Sequence, residues 1–281
     1  MDRKIFHILL DAPRHSVQPF RDGVSSTRGR LRPLRPRDLD MLRPTLVLAL
    51  GTCLTITVLV LPRSSTAQVA VTTCGQVVEG AGYLTGNLDC TGFTAAPFAV
   101  LVHPKGSLDL RGFAVIGAQD GVDCGSILVD AVGQENLHIY GRCDVSNGTI
   151  RGAAIGLTVE SLQASNLAVT DNALEGVLGI NRAKATLVDS IVSGNGTCGV
   201  SANSVKVFTS SITGNEGGGL CSRRVRMFNS SATGNGLAPD CTRGPCVDVS
   251  ATRRPHLRDS TCDRSGGNQH PPGNWHVCAL D

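Results

Sequence analysis

The chain has 281 residues, of which 41% are hydrophobic, 17% are charged and 4% are aromatic. Ten aromatic residues are too few for a long groove that grips neutral glycans through ring faces. The formal net charge of +3 comes from a basic N-terminal segment, because the residues from Gln68 onward hold 15 Lys and Arg against 18 Asp and Glu, a net of −3.

The first 40 residues carry nine Lys or Arg and show no sustained apolar pattern. This composition predicts a disordered basic leader, or residues that precede a true start of translation at Met41. An arginine run also suits nucleic acid, but the export signal and strand pattern that follow argue against a nucleic-acid partner.

Residues 41–67 have the organisation of a signal peptide. Arg43 precedes an uncharged apolar run from Pro44 to Leu61, and Ser65-Thr66-Ala67 supplies the small residues for cleavage before Gln68. The run is near the lower length limit for a membrane span, so a signal anchor is the alternative, although its threonines make it weakly hydrophobic. We expect a secreted protein, extracellular or periplasmic, with no membrane span after cleavage.

Residues 68–107 are interpreted as an N-terminal cap region. Beyond them, Leu108–Gly112 resembles Leu137–Gly141, and each segment is followed by a second short strand that ends in Gly, Val115–Gly117 and Thr149–Gly152. These matching pairs predict early coils of a repeating domain.

A repeat of about 20 residues is clearest where Asn172, Asn195, Asn215 and Asn235 recur at spacings of 23, 20 and 20. Three columns at fixed offsets before these asparagines are apolar: Val169, Val192, Ile212 and Ala232; Ala164, Leu187, Val207 and Met227; Leu162, Ala185, Val205 and Val225. Neighbouring residues alternate outward, as in a β-strand. This period, with Gly and Asn turns, is typical of a stacked β-solenoid.

We therefore predict an all-β fold, a right-handed parallel β-helix (solenoid) of about seven coils of roughly 20 residues, as a domain of residues 108–248. An α/β fold is disfavoured, because no stretch between residues 74 and 260 keeps helical periodicity over three turns. A β-sandwich has short strands too, but no fixed self-similarity of this length.

Ten cysteines lie outside the signal segment, which itself contains Cys53: Cys74, Cys90, Cys124, Cys143, Cys198, Cys221, Cys241, Cys246, Cys262 and Cys278. An even number in an exported chain favours disulfides, and a solenoid places residues one coil apart within bonding distance. The pairs Cys124–Cys143 and Cys221–Cys241 could each join two adjacent coils. The pairs Cys74–Cys90 and Cys262–Cys278 could each close a short loop at one end of the solenoid. Residues 249–281 are interpreted as a disulfide-linked C-terminal tail.

The alternative to disulfides is a zinc site with cysteine ligands, but the sequence has no Cys-x2-Cys pair. We predict no metal and no cofactor.

Several segments carry a resemblance to a known family: Cys74-Gly75, Leu88-Asp89-Cys90, Leu108–Gly112, Val145–Ile150 and the repeats that end in Gly-Asn. They resemble exported bacterial right-handed β-helix repeat proteins of the pectate-lyase-like superfamily, over roughly residues 74–280. The tail around Pro245–Asp248 and Trp275–Cys278 resembles the end of a subgroup of unassigned function. The resemblance implies the fold, whereas the superfamily includes lyases, hydrolases, epimerases, adhesins and inert surface proteins.

Catalytic residues are not apparent in the sequence. A lyase of this shape needs acidic calcium ligands beside an Arg or Lys base, and a polygalacturonase needs paired Asp residues, yet no Asp-Asp pair occurs. The nearest candidates are Asp171, which occupies a position held by Gly in the other repeats, and Asp189. We interpret Asp171 as a left-handed turn residue, and Asp189 as part of a ladder of mutually bonded turn side chains with Asn166, Thr209 and Asn229.

The C-terminal end is the basic end of the exported domain. Residues 68–220 hold 7 basic and 13 acidic residues, a net of −6, whereas residues 221–281 hold 8 and 5, a net of +3. The candidate ligand-binding residues are Lys206, Arg223, Arg224 and Arg226. They suit an acidic polysaccharide or cell-envelope glycan, while a solvated rim is the alternative.

The sequence thus favours an exported structural or binding β-helix protein without catalysis. The alternatives are a lyase, hydrolase or epimerase acting on uronic-acid polymers, and an adhesin or surface array protein.

Overall fold

The computed structural model describes residues 67–125, 142–236, 246–267 and 274–281, together with two short strands between residues 128 and 138. These residues contain strands and no helix. In chain order the strands are β1 (Val69–Val71), β2 (Gln76–Val78), β3 (Ala81–Leu84), β4 (Leu88–Cys90), β5 (Phe98–Val102), β6 (Ser107–Asp109), β7 (Ala114–Gly117), β8 (Asp120–Cys124), β9 (Leu128–Val129), β10 (Leu137–His138), β11 (Arg142–Arg151), β12 (Ile155–Thr170), β13 (Val177–Val188), β14 (Ile191–Ser193), β15 (Cys198–Phe208), β16 (Ser211–Thr213), β17 (Gly218–Phe228), β18 (Ser231–Thr233), β19 (Val249–Ala251), β20 (His256–Arg258), β21 (Thr261–Cys262) and β22 (Ser265–Gly267).

Twenty of the strands belong to one parallel sheet with three faces. Face 1 contains β2, β5, β8, the first parts of β12, β13, β15 and β17, and then β19 and β22. Face 2 contains β1, β3, β6, the first part of β11, the middle of β12, the last parts of β13, β15 and β17, and β20. Face 3 contains β4, β7, the ends of β11 and β12, and β14, β16, β18 and β21.

The chain visits the three faces in the same order each time. Within the described residues this order recurs eight times between Gln76 and Cys262. The predicted all-β parallel solenoid is therefore confirmed. Parallel strands also occur in the segments 68–107 and 249–281, whose assignment as cap and tail stays a prediction.

One predicted rung of the early coils is wrong. Leu137 and His138 form β10, which pairs antiparallel with β9 in a separate two-stranded sheet. The strand that stacks on Leu108 is β11, through Val145, and its later residue Ile150 stacks on Val115 as expected. Both β10 and the first part of β11 alternate apolar and polar residues, so the sequence did not show which of them stacks on Leu108. Only β11 continues the parallel ladder.

The three apolar columns form the core as predicted. Val169, Val192, Ile212 and Ala232 lie opposite one another on face 3 and are at most 1% exposed. The other two columns stack in the same way on face 2. Each coil therefore buries its apolar residues against those of the coils before and after it, the source of stability expected for a solenoid.

The repeat asparagines form a buried ladder at the corner between face 3 and face 1. The Nδ2 atoms of Asn172, Asn195 and Asn215 each donate to the Oδ1 atom of the next asparagine, at 2.8 Å. Asn235 donates to Asp248 at 2.9 Å, and the other oxygen of Asp248 accepts two backbone N–H groups. Asp248 thus ends the ladder with every nitrogen along it paired.

Turn residues beside this ladder have left-handed backbone. Asp171 has φ 55° where other repeats have Gly, as predicted. Asn166, Asp189, Thr209 and Asn229 have φ between 47° and 50°. The prediction that these four side chains bond one another is wrong, because the left-handed turn leaves them exposed and Asn166 bonds Asn147 instead. The bonded column is the next residue, where Ser190, Ser210, Ser230 and Ser260 accept backbone N–H groups from neighbouring coils.

Four disulfides are present among the described residues. Cys74–Cys90, Cys124–Cys143 and Cys262–Cys278 are paired as predicted, with Cα atoms 5.7, 5.8 and 4.9 Å apart. Cys221 bonds Cys198, so its predicted pairing with Cys241 is wrong. Cys198 and Cys221 lie on the adjacent strands β15 and β17 with Cα atoms 6.1 Å apart, which is within the range for a disulfide. Cys246 is also disulfide-bonded, and Cys241 lies outside the described residues.

Candidate ligand-binding face

The four predicted ligand-binding residues lie on or beside face 2 and are exposed. Lys206 on β15 lies opposite Arg226 on β17, one rung away. Arg224 precedes Arg226 by two residues on the same strand, so both project to the outside of the sheet. Arg223 lies at the corner that joins face 1 to face 2. The structure therefore brings the predicted cations together at the C-terminal coils.

Aromatic rings form a column next to these cations. Phe208 and Phe228 stack across adjacent rungs with ring centroids 5.0 Å apart and planes inclined by 7°. His256 follows, 5.8 Å from the ring of Phe228, and it lies opposite Arg226 in the ladder. The sequence contains few aromatic residues, yet three rungs of face 2 combine rings with positive charge.

A first depression, which we call the arginine cleft, has a volume of about 620 Å³. Its lining includes four arginines, a histidine and a phenylalanine: Arg224, Arg226, Arg253, Arg254, His256 and Phe228. Within the described part of the chain, none of these arginines has a carboxylate within 4.0 Å. They are therefore available to an anionic ligand.

A second and larger depression, which we call the corner cleft, has a volume of about 1150 Å³. Its lining includes Arg223 and Arg224, so the two clefts meet at Arg224. The other charged residues of its wall are Arg182, Lys184 and Glu160, and Asn181 and Asn203 contribute amides. Neither Arg182 nor Lys184 has an ion-pair partner within the described residues.

The corner cleft is formed by a bulge in β13. Leu178 lies opposite Ser201 and Lys184 lies opposite Ser204, so five residues of β13 span a corner that two residues of β15 span. These three extra residues explain why the repeat from Asn172 to Asn195 has 23 residues instead of 20. Asn181 has φ 56° at the bulge, a conformation that Asn accepts more readily than most residues.

Glu160 lies on the preceding coil beneath this bulge. Its side chain is buried, with 7% of the residue exposed. Oε1 accepts a hydrogen bond of 3.4 Å from Nδ2 of Asn181, whereas Oε2 is buried and has no partner among the residues that the structure describes. A buried carboxylate oxygen without a hydrogen-bond donor lowers the stability of the fold, and this distinguishes Glu160 from the other residues that line the clefts.

Sequence reasoning did not identify Glu160, Arg182 or Lys184 as site residues. The signal that could have found them is the 23-residue spacing, which indicates three additional residues in that coil. Arg253 and Arg254 were recognisable as part of the basic end, but their position beside β17 depends on the return of the chain through β20.

The acidic candidates Asp171 and Asp189 are exposed turn residues that line neither cleft. Asp189 lines a shallow depression with hydroxyl and amide side chains and Asp259, and no basic residue lines it. Over the described residues, no group of three or more His, Cys, Asp or Glu side chains is arranged to hold a metal ion.

Comparisons with known proteins found no match to this chain, whether with family models, with curated proteins or with solved structures. In the described residues, no helix combines the length and apolar character needed to cross a membrane. The four disulfides are typical of proteins that fold in an oxidising compartment.

Proposed function

We propose that this protein is an exported binding protein whose face 2 holds an acidic polysaccharide or cell-envelope glycan, without catalysing a reaction. The observation that carries the proposal is that the two clefts, which meet at Arg224, are lined by cations without an ion-pair partner among the described residues. A repeating ladder of cations suits a repeating polyanion, because equivalent positions on successive coils recur about every 4.8 Å.

Secretion and membership of the pectate-lyase-like superfamily belong to the same proposal. The disulfides support an oxidising compartment, and the three-faced parallel solenoid is compatible with the fold that the sequence resembles. The half-buried rings of Phe208 and Phe228, stacked on each other beside the cations, add apolar surface that suits the C–H groups of a sugar better than a simple ion.

Retention on immobilised polygalacturonate tests the proposal. We expect the double variant Arg224→Ser/Arg226→Ser, on β17, to bind roughly fivefold to tenfold more weakly, because each exposed charge pair contributes up to about 1 kcal/mol. Retention by the wild type should also fall as salt rises, since charge attraction is screened over about 8 Å at physiological ionic strength.

The matched control is Arg142→Ser/Arg151→Ser, which removes two exposed arginines from β11 in the acidic half of the solenoid. Equal loss in both double variants would indicate a general charge effect and contradict a site on face 2. Release of unsaturated or reducing ends from the glycan would instead support the lyase or hydrolase alternative. Salt-insensitive binding to a protein would support the adhesin alternative.

A further inference from the structure

Glu160 is a buried carboxylate in the wall of the corner cleft. It is the one carboxylate among the described residues that line the cleft, and no donor in the described part of the chain bonds its Oε2 atom. Buried polar atoms in native proteins nearly always have a partner, and an exception calls for an explanation such as a ligand. The nearby cations do not supply the partner, because none of them lies within 4.0 Å of Glu160.

The bulge in β13 covers the side chain of Glu160. Asn181 reaches over it from the next coil and bonds Oε1. The long side chains of Arg182 and Lys184 are exposed one coil after Glu160, and Arg223 and Arg224 on β17 complete the wall three coils away from it. The cleft therefore combines a carboxylate on its first coil with four cations on the coils that follow.

We infer that the corner cleft is a subsite that selects anionic sugar units with free hydroxyl groups. Glu160 accepts hydroxyl hydrogen bonds from the unit whose anionic group Arg182 and Lys184 hold, and Arg223 and Arg224 hold the anionic group of a further unit of the same polymer. This inference rests on the proposed function and adds its selectivity. The same carboxylate disfavours a polyanion that has no donor, since it would meet Glu160 as a like charge. A volume of about 1150 Å³ gives room for sugar units in the cleft.

Polygalacturonate and its O-acetylated form provide matched probes, because acetylation blocks the hydroxyl donors and leaves the carboxylates. We expect acetylation to weaken binding to the wild type about tenfold, the effect of losing a hydrogen bond to a charged group. We expect Glu160→Met, which has similar length but no acceptor, to bind both polymers equally. Glu160→Gln keeps an acceptor oxygen, so it should keep part of the preference.

Melting curves check the fold of these variants. Glu160→Met should melt at or above the temperature of the wild type, because it removes a buried carboxylate oxygen that lacks a donor. A markedly lower melting temperature would mean that Glu160 is a structural residue and would overturn the inference.

The binding results separate this inference from the proposed function. If acetylation weakens the wild type and Glu160→Met to the same degree, or weakens neither, Glu160 does not select hydroxyl groups. Retention that is sensitive to salt and to Arg224→Ser/Arg226→Ser would then still support glycan binding by face 2. If the wild type is not retained on either polymer, both fail.

Discussion

At the residue scale, Asn215 shows how a single side chain joins three coils. Its Nδ2 atom donates to the carbonyls of Val192 and Thr213 and to Oδ1 of Asn235, and its Oδ1 atom accepts from Asn195. We expect Asn215→Ala to lower the free energy of unfolding by about 3 kcal/mol, because buried groups on the neighbouring coils lose their partner. Urea denaturation measures the change.

Asn229 provides the control for this variant. It is exposed, has φ 47°, and its side chain makes no hydrogen bond to a described residue. Asn229→Gly should change the free energy of unfolding by about 0.5 kcal/mol or less. If Asn215→Ala is no more destabilising than this control, the ladder does not contribute to stability as its geometry suggests.

Asp120 is a second residue whose environment predicts a measurable effect. Burial raises the pKa of its carboxyl above the ordinary value of 3.8, although the hydroxyl of Thr158 acts in the opposite direction. The folded state therefore binds this proton more tightly than the unfolded state. Its contribution to stability is present below pH 3.8 and is lost as pH rises through the folded pKa.

We accordingly expect Asp120→Asn to raise the melting temperature at pH 7, with the difference shrinking as pH falls towards 3.8. Asp281 should show the opposite sign. Burial acts to raise the pKa of Asp281, but hydrogen bonds from Ser265, Cys278 and Val277 outweigh it and lower the pKa. Asp281→Asn should therefore destabilise at pH 7 and lose its effect in acid. Equal behaviour of the two variants would contradict both assignments.

At the scale of the element, the three additional residues of the bulge in β13 can be removed without changing the register of the strands on either side of it. Deleting Ile180, Asn181 and Arg182 leaves two residues, Gly179 and Ala183, at a corner where β15 also has two. We expect the shortened protein to melt cooperatively with an unchanged β-sheet spectrum, because the ladder resumes at Lys184 in register with Ser204. Circular dichroism during heating measures this, and a protein that no longer folds would show that the bulge is required for the coil.

The apolar columns could be predicted from the sequence, whereas the position of the bulge could not. The columns such as Val169, Val192 and Ile212 were predictable, because each coil repeats the same inward positions. The 23-residue spacing gave the number of additional residues but not the corner at which they lie, since each of the three corners can absorb them.

The disulfide of Cys221 was not predictable for a related reason. Cys221 and Cys241 occupy the same position after their repeat asparagines, which suggested stacking. Cys198 lies on the coil before Cys221, so each side of Cys221 offers a candidate partner. Sequence spacing alone does not decide between two neighbouring coils, and it also did not reveal that Glu160 lies beneath Asn181.

At the scale of the whole molecule, each coil is stabilised by its two neighbours, and the end coils have only one. The C-terminal end is closed by residues 274–281, where Trp275 donates to the carbonyls of Ala251 and Gly266 and Cys278 bonds Cys262. The disulfides thus restrain the ends as well as the middle of the solenoid.

We expect reduction to lower the melting temperature sharply, because each disulfide contributes about 2 to 4 kcal/mol. Hydrogen exchange during mild reduction should increase first around β21 and β22 and last in β13 and β15, which have paired strands on both sides. Thiol titration of the unfolded, unreduced protein checks the premise. Several free thiols would contradict it, since nine cysteines are disulfide-bonded.

The corner position of the three added residues has a consequence for how such a molecule can change. Insertions at a corner enlarge the surface without altering which side chains face the core, so recognition and folding can vary independently along the chain. The equivalent corners at Ala202-Asn203 and Ser222-Arg223 are therefore sites where short loops can be transplanted, each presenting new chemistry beside the same row of cations.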